Sequence, residues 1–144
     1  MQLQSTPEYN ALYEHVNALP AGSAYVPNPG NAGDSLIASA TFQFLRECVS
    51  LRNLNDNPSM RNSARHIIFA GGGAISPFYN AWKRKIITAK QAGHNITVLP
   101  STIADAPELL QILDNKDTVF CRDFNSLKYA AIRTDANVFF CHDM

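Results

Sequence analysis

The stretch Ala24-Tyr25-Val26-Pro27-Asn28-Pro29-Gly30-Asn31-Ala32-Gly33-Asp34-Ser35 decides the fold. A short apolar run over residues 24–28, which predicts a first strand, enters a turn containing two glycines. Leu36, Ile37, Ala40, Phe44 and Leu45 then recur at a spacing of about 3.6, which predicts a helix over 35–48 with a broad apolar face. The glycines permit a tight turn whose backbone N–H groups point outward, and Asn31, Asp34 or Ser35 can cap the helix. A strand, a glycine turn and a helix start together form an anion cradle, because the unpaired N–H groups of a first helical turn carry partial positive charge.

The same unit recurs downstream. Ile67-Ile68-Phe69-Ala70 is an unbroken apolar run, which suits a strand buried on both faces, and it runs into Gly71-Gly72-Gly73. Residues 74–78 are expected to form a loop. A helix is predicted over 79–93, with Trp82, Ile86 and Ala89 facing inward and Lys83, Arg84, Lys85 and Lys90 on its solvated side. Residues 95–99 are a β-branched strand with Pro100-Ser101-Thr102-Ile103 as its outgoing turn, followed by a short helix over 106–114. The C-terminal third predicts a strand at 118–121, a helix over 123–132 and a last strand at 137–141. Upstream, Leu12, Val16 and Leu19 predict a helix over 8–19, stopped by Pro20-Ala21-Gly22. Residues 49–54 alternate loosely and suggest a strand near an edge. Residues 55–65 are polar, contain Pro58, and read as a loop.

Strands alternating with helices in this way predict an α/β domain, a Rossmann-like and mostly parallel sheet with helices on both faces. In such a sheet the strand exits share one edge, where ligands bind. With 144 residues, one core suffices, burying about two-thirds of the unfolded chain's surface. Twelve basic side chains balance twelve acidic ones, so no net field attracts nucleic acid or an anionic membrane. No apolar run approaches the roughly 20 residues that cross a bilayer. The first residues lack the basic start and apolar middle of a secretion signal, which predicts a cytoplasmic protein. Cys48, Cys121 and Cys141 form an odd set without C-x-x-C spacing, so they read as reduced core thiols. The chain ends directly after a strand with no closing helix, an ending expected of a polypeptide that continues or of a reduced relative of a larger protein.

Several motifs bear on chemistry. The turn at Gly30 and Gly33 lacks G-x-G-x-x-G spacing, so a dinucleotide fingerprint is not indicated, and a plain structural turn is an equal reading. Three adjacent glycines at 71–73 cost backbone entropy that a plain turn does not require, which argues for close approach of a ligand or a second domain. Capping accounts for Asp123 but not for Arg122, whose guanidinium at a strand exit can hold a carboxylate or phosphate through two parallel hydrogen bonds. Ser126 stands one helical turn away and is as well explained as a solvated serine. His142 and Asp143 point to opposite faces of an extended strand and are not expected to act as a unit. No metal-ligand spacing and no G-x-S-x-G elbow is present.

Taken in chain order, these motifs resemble the polysaccharide pyruvyl transferase family. The matching stretches are Gly30-Asn31-Ala32-Gly33-Asp34-Ser35 with Thr41-Phe42-Gln43-Phe44-Leu45, Phe69-Ala70-Gly71-Gly72-Gly73 with Tyr79, Leu99-Pro100-Ser101-Thr102-Ile103, Phe120-Cys121-Arg122-Asp123 with Ser126, and Asp143-Met144. The resemblance implies two Rossmann-like domains facing each other across a cleft, as in GT-B glycosyltransferases, with residues 1–144 as the first and the second domain absent. It implies transfer of a pyruvyl group from phosphoenolpyruvate to two hydroxyls of a saccharide, forming a cyclic ketal in polysaccharide biosynthesis. Phosphoenolpyruvate is then a donor substrate, and no cofactor or metal is expected. The expected partners are that donor and a saccharide acceptor, with a homo-oligomer or the second domain completing the cleft. Two departures stand out: Ser101 replaces the glutamine usual in the family, and the family places further basic residues for phosphoenolpyruvate in the second domain.

On this reading Asp34 is the candidate base and Arg122 the candidate anion-stabilising group. Asn31, Gly33, Ser35, Gly71, Gly72, Gly73, Thr102, Asp123 and Ser126 are candidate substrate-binding residues. A nucleotide-sugar glycosyltransferase and a non-catalytic saccharide-binding module are the alternatives.

Overall fold

Among the described residues six strands form one parallel sheet. The computed structural model describes residues 6–28, 30, 32–48 and 63–143. The expected strand at 49–54 and most of the loop after it lie outside the described residues.

Helix α1 (Pro7–Asn17) starts where Pro7 needs no hydrogen-bond acceptor and where Thr6 Oγ1 accepts the Tyr9 N–H at 3.2 Å. It buries Leu12 and Val16. Strand β1 (Ala24–Val26) is buried throughout, and helix α2 (Ala32–Glu47) follows it. Strand β2 (His66–Phe69) leads through Gly71 into strand β3 (Gly72–Ile75), then helix α3 (Asn80–Gln91) and the nine-residue strand β4 (Asn95–Ile103). Helix α4 (Pro107–Leu110), strand β5 (Thr118–Cys121), helix α5 (Phe124–Ala131) and strand β6 (Asn137–Phe140) complete the described chain.

The sheet order is β1-β2-β4-β5-β6, with β3 paired to β4 beyond the end of β2. Tyr25, Ile68, Thr97 and Thr118 stand in one register row, so their side chains share a face. On that face Tyr25 meets Phe42 of α2, while His15 of α1 reaches Thr97 and Phe120. The opposite face holds Phe69 against Trp82 of α3 and Phe140 against Phe124 of α5. Helices therefore cover both faces, and the fully buried Tyr25, Phe69, Phe120, Leu45, Ile68 and Leu99 form the centre of the core.

Six expectations are corrected. Gly72–Ile75 is a strand rather than a loop, because β4 is long enough to pair with a second segment after β2. Residues 100–103 continue β4 rather than turning out of it. Pro100, which lacks an N–H, is accommodated where the pairing with β5 shifts register between Val98 and Ser101. The broad apolar face read on the helix after the glycine turn is narrower: Phe44 and Leu45 are buried as expected, with Thr41 beside them, but Leu36 is 74% exposed and Ala40 is exposed. Lys83 is buried rather than solvated, its Nζ 2.7 Å from Glu108 Oε1 on α4. Lys90 is likewise drawn inward, 2.9 Å from Asp114 and 2.8 Å from Asp117. Long aliphatic stems bury readily when a carboxylate from the next element meets the charge. The helix expected over 106–114 shortens to α4, although Leu113 remains buried.

Candidate functional site

At the carboxyl ends of the strands lies a cleft of about 690 Å³, lined by residues from four separate segments. Gly30 comes from the β1–α2 turn with Gly33 and Asp34 from the adjoining start of α2, Gly73 from β3, Tyr79 and Trp82 from the start of α3, and Arg122 from just after β5. Helix α2 begins at Ala32, earlier than the sequence pattern suggests, so Asp34 and Ser35 lie inside its first turns instead of capping it. The acidic Asp34 there complements the positive end of the helix dipole.

The glycines define the shape of this cleft. A side chain at Gly30 would put its Cβ 1.8 Å from Asp34 Oδ2, so only glycine lets the Asp34 carboxylate fold back over the turn. Gly72 has φ +123°, a conformation that L side chains rarely adopt, and a Cβ on it would stand 3.3 Å from Asp34 Oδ1. On the next residue, a Cβ at Gly73 would stand 3.3 Å from an Arg122 terminal nitrogen, Nη2. Adjacent glycines thus face the carboxylate and the guanidinium in turn. Gly71 has another role: its hydrogen-bearing face meets the Pro100 carbonyl, where a Cβ would come within 2.2 Å of the oxygen, and this close approach lets β2 run on into β3 beside β4.

Arg122 is held from behind. Its Nε donates to Thr102 Oγ1 at 2.7 Å and its Nη1 pairs with Asp143 Oδ2. Thr102 donates onward to Asp123 Oδ2 at 3.2 Å. Asp123 caps α5 by accepting the Ser126 N–H at 2.8 Å, and it also accepts the Ser126 hydroxyl at 2.8 Å. Partial burial would raise the Asp123 carboxyl, but the Ser126 and Thr102 hydrogen bonds and the nearby Arg122 charge hold it below the usual carboxylate range. Ser126 is buried, and its hydroxyl also accepts the Ile103 N–H at 2.8 Å, which ties the helix start to the end of β4.

The sequence-derived candidates divide accordingly. Gly33, Asp34, Gly73 and Arg122 line the cleft, and Gly72 abuts Asp34. Thr102, Asp123 and Ser126 form the network that holds Arg122 and the α5 start. Gly71 packs against Pro100, and Ser35 is exposed on α2 and is not among the cleft-lining residues. Asn31 lies outside the described residues. His142 and Asp143 lie beyond the end of β6 and part company, with His142 against Phe140 and Asp143 on Arg122.

Phe78, Trp82 and Lys85 also line the cleft, although sequence reasoning assigned them no part in a site. Tyr79, present in the motif comparison but not in the candidate set, joins them. The signal available was the run Ser76-Pro77-Phe78-Tyr79 between a glycine-rich strand and a helix.

Other chemistries find little support. Burial pushes the Cys121 thiol up to about 12 and Cys141 up to about 11, so neither is a thiolate near neutral pH. Among the described residues no group of three or more His, Cys, Asp or Glu side chains could hold a metal ion, and no helix is long and apolar enough to cross a membrane.

Comparison with known proteins places the chain. A crystal structure of a functionally uncharacterized protein from Klebsiella pneumoniae subsp. pneumoniae NTUH-K2044 is similar, with a TM-score of 0.75 and 27% sequence identity. The similarity covers 96% of this chain and 56% of that one, so these residues span little more than half of the similar protein's length. No protein of curated function matches. The model of the family described as polysaccharide pyruvyl transferase matches residues 31–144. That match takes in the Asp34 turn, the glycine strand and Arg122, and the chain belongs to the polysaccharide pyruvyl transferase family.

Proposed function

We propose that this cleft is one wall of a site that transfers a pyruvyl group from phosphoenolpyruvate to two hydroxyls of a saccharide, giving a cyclic ketal and inorganic phosphate. The observation that carries the reading is the convergence of Asp34 and Arg122 on neighbouring glycines of a single cleft. Family membership supports it.

The reaction breaks the bond between the enol carbon and the phosphate oxygen and forms two bonds from that carbon to sugar oxygens. Of the two hydroxyl protons released, one ends on the methylene carbon, which becomes methyl, and the other leaves on phosphate. Such a step needs a base for the attacking hydroxyl and positive charge where phosphate and carboxylate sit. Asp34 is the base, or the acceptor that orients the hydroxyls. Arg122 binds the donor's anionic groups with the guanidinium edge turned toward Gly73, while Thr102 and Asp143 hold its other nitrogens. Thr102, Asp123 and Ser126 act through Arg122 rather than on the substrate.

Phosphorus NMR of phosphoenolpyruvate in the presence of the chain tests the donor site. Line broadening with the wild type and its loss in Arg122→Ala is expected, with Asp34→Asn retaining the broadening but abolishing phosphate release to a saccharide acceptor. An Arg122→Ala variant that binds and turns over the donor like the wild type overturns the assignment. Broadening by a nucleotide sugar and none by phosphoenolpyruvate would transfer the cleft to the glycosyltransferase reading.

A further inference from the structure

The cleft has a second end that the donor chemistry leaves unused. Phe78 is 89% exposed and Tyr79 59% exposed, side by side on its lip, while Trp82 and Lys85 form the wall below them. Two consecutive large rings left in water are costly, and one beside a polar cleft marks a contact surface.

The backbone presents these rings rigidly. The Tyr79 N–H donates to the Ser76 carbonyl at 3.2 Å, closing a turn in which Pro77 fixes the first corner and Phe78 occupies the second. The Tyr79 carbonyl then accepts the Trp82 N–H at 3.2 Å, which joins the turn to the start of α3. Trp82 is itself pinned edge-on to Phe69 in the core, with ring centroids 5.7 Å apart, and Lys85 Nζ lies 5.7 Å from its ring. The lip therefore holds its shape without packing its own rings.

The geometry points to a saccharide-stacking subsite on Phe78 and Tyr79. A pyranose has one face of C–H bonds and a rim of hydroxyls. The lip offers flat apolar rings to the face, and the cleft continues to Lys85 and Asp34, which suit the rim. The assignment rests on the pyruvyl-transfer reading, in which the acceptor must enter the same cleft as the donor with two hydroxyls near Asp34. It adds that acceptor recognition belongs to the aromatic lip and donor recognition to Arg122.

Saturation-transfer NMR tests this with the methyl pyranosides of glucose, galactose and mannose as probes. Transfer to the ring C–H protons of at least one glycoside is expected with the wild type, weakened about 3- to 10-fold by each of Phe78→Ala and Tyr79→Ala. It should persist in Phe78→Trp and in Ile132→Ala, a change at an exposed residue outside this cleft. Absence of transfer from every glycoside, or equal transfer in the Phe78→Ala/Tyr79→Ala double variant, overturns the subsite. So does concentration-dependent self-association that the double variant abolishes, since the lip would then be an interface between copies of this chain. Phosphoenolpyruvate broadening separates the two readings. If broadening survives in the double variant while glycoside transfer fails even in the wild type, only the subsite falls. If glycosides bind through the lip and phosphoenolpyruvate does not bind, the donor assignment falls instead.

Discussion

Arg122 Nε donates to Thr102 Oγ1 across 2.7 Å, from the end of β5 to the end of β4. This bond joins two strands whose pairing has just passed an irregularity between Val98 and Ser101, so it positions the guanidinium where the regular ladder is interrupted. Thr102→Val keeps the β-branched shape and removes the acceptor. If the proposed donor site is right, loss of this hydrogen bond to a charged group should weaken phosphoenolpyruvate binding by about 1.5–3 kcal/mol, roughly 10- to 150-fold, with a smaller effect on folding because Arg122 remains partly solvated. Thr102→Ser should restore the affinity. Titration of both variants with the donor checks this, and unaltered affinity in Thr102→Val would remove Thr102 from the positioning network.

Gly72 and Gly22 make a controlled pair. Both have positive φ, +123° and +83°, but only Gly72 neighbours the proposed base, Asp34, whose Oδ1 lies 3.3 Å from a would-be Cβ, whereas nothing lies within 4 Å at Gly22. Alanine at either position incurs backbone strain of about 1–2 kcal/mol, measurable by denaturant unfolding. Only Gly72→Ala should also displace the Asp34 carboxylate and suppress turnover. Equal activity in the two variants at equal loss of stability would show that the glycine strand matters for folding alone.

The strand exits after β1 and β5 were legible because their cause is local. An apolar run, a polar or glycine turn and a periodic helix are each written in contiguous residues, and β5 with Arg122 after it falls at the expected positions. Segment β3 was not legible. Glycine has no side chain to alternate and a weak preference for strands, so Gly72–Ile75 is extended only because β4 offers a partner. The continuation of β4 through Pro100 was hidden for the converse reason, since proline normally ends a ladder and only the register shift beside it accommodates the missing N–H. Lys83 looked solvated by its periodicity because its counter-ion, Glu108, arrives from another helix. The aromatic lip was invisible in the same way, for no pattern tells whether a ring in a loop turns into the core or out over a cleft.

Asp117 illustrates a buried charge whose function is architectural. It is 0% exposed, accepts the N–H groups of Ile96 and Asp114 at 2.8 Å each, and pairs with Lys90 Nζ at 2.8 Å. One carboxylate thereby links the start of β4, the loop before β5 and helix α3. Asp117→Ala removes the acceptor of the buried Ile96 N–H and the part-buried Asp114 N–H and leaves Lys90 with Asp114 alone, and a loss of about 2–4 kcal/mol is expected. Asp117→Asn retains an acceptor and should lose less. Equilibrium unfolding distinguishes them, and an alanine variant within about 1 kcal/mol of the wild type would show that water replaces the carboxylate.

Acid should destabilise the fold before its carboxylates titrate. His15 Nε2 and His66 Nε2 lie 2.9 Å and 2.7 Å from the same Thr97 hydroxyl, between α1 and the sheet. Burial, aided by nearby His15 and opposed by Asp117, holds His66 down to about 4; burial also lowers His15. The unfolded chain takes up these protons near pH 6.5, whereas the folded chain resists them, so the unfolded state binds more protons and stability falls as pH falls. The contribution is fully present above pH 6.5, declines toward pH 4, and levels off below it. His66 alone gives a slope approaching 1.4 kcal/mol per pH unit within this window, a total on the order of 3 kcal/mol, and His15 steepens it. Asp114, Glu108 and Asp123, all held below their usual values, add their losses only at lower pH, so the interval from 6.5 to 5 isolates the histidines. Urea unfolding at pH 7, 6 and 5 measures the slope, and His66→Gln should reduce it by at least half. A wild type equally stable at all three values would mean that the folded protein takes up these protons without strain, with Thr97 accepting from both imidazolium rings.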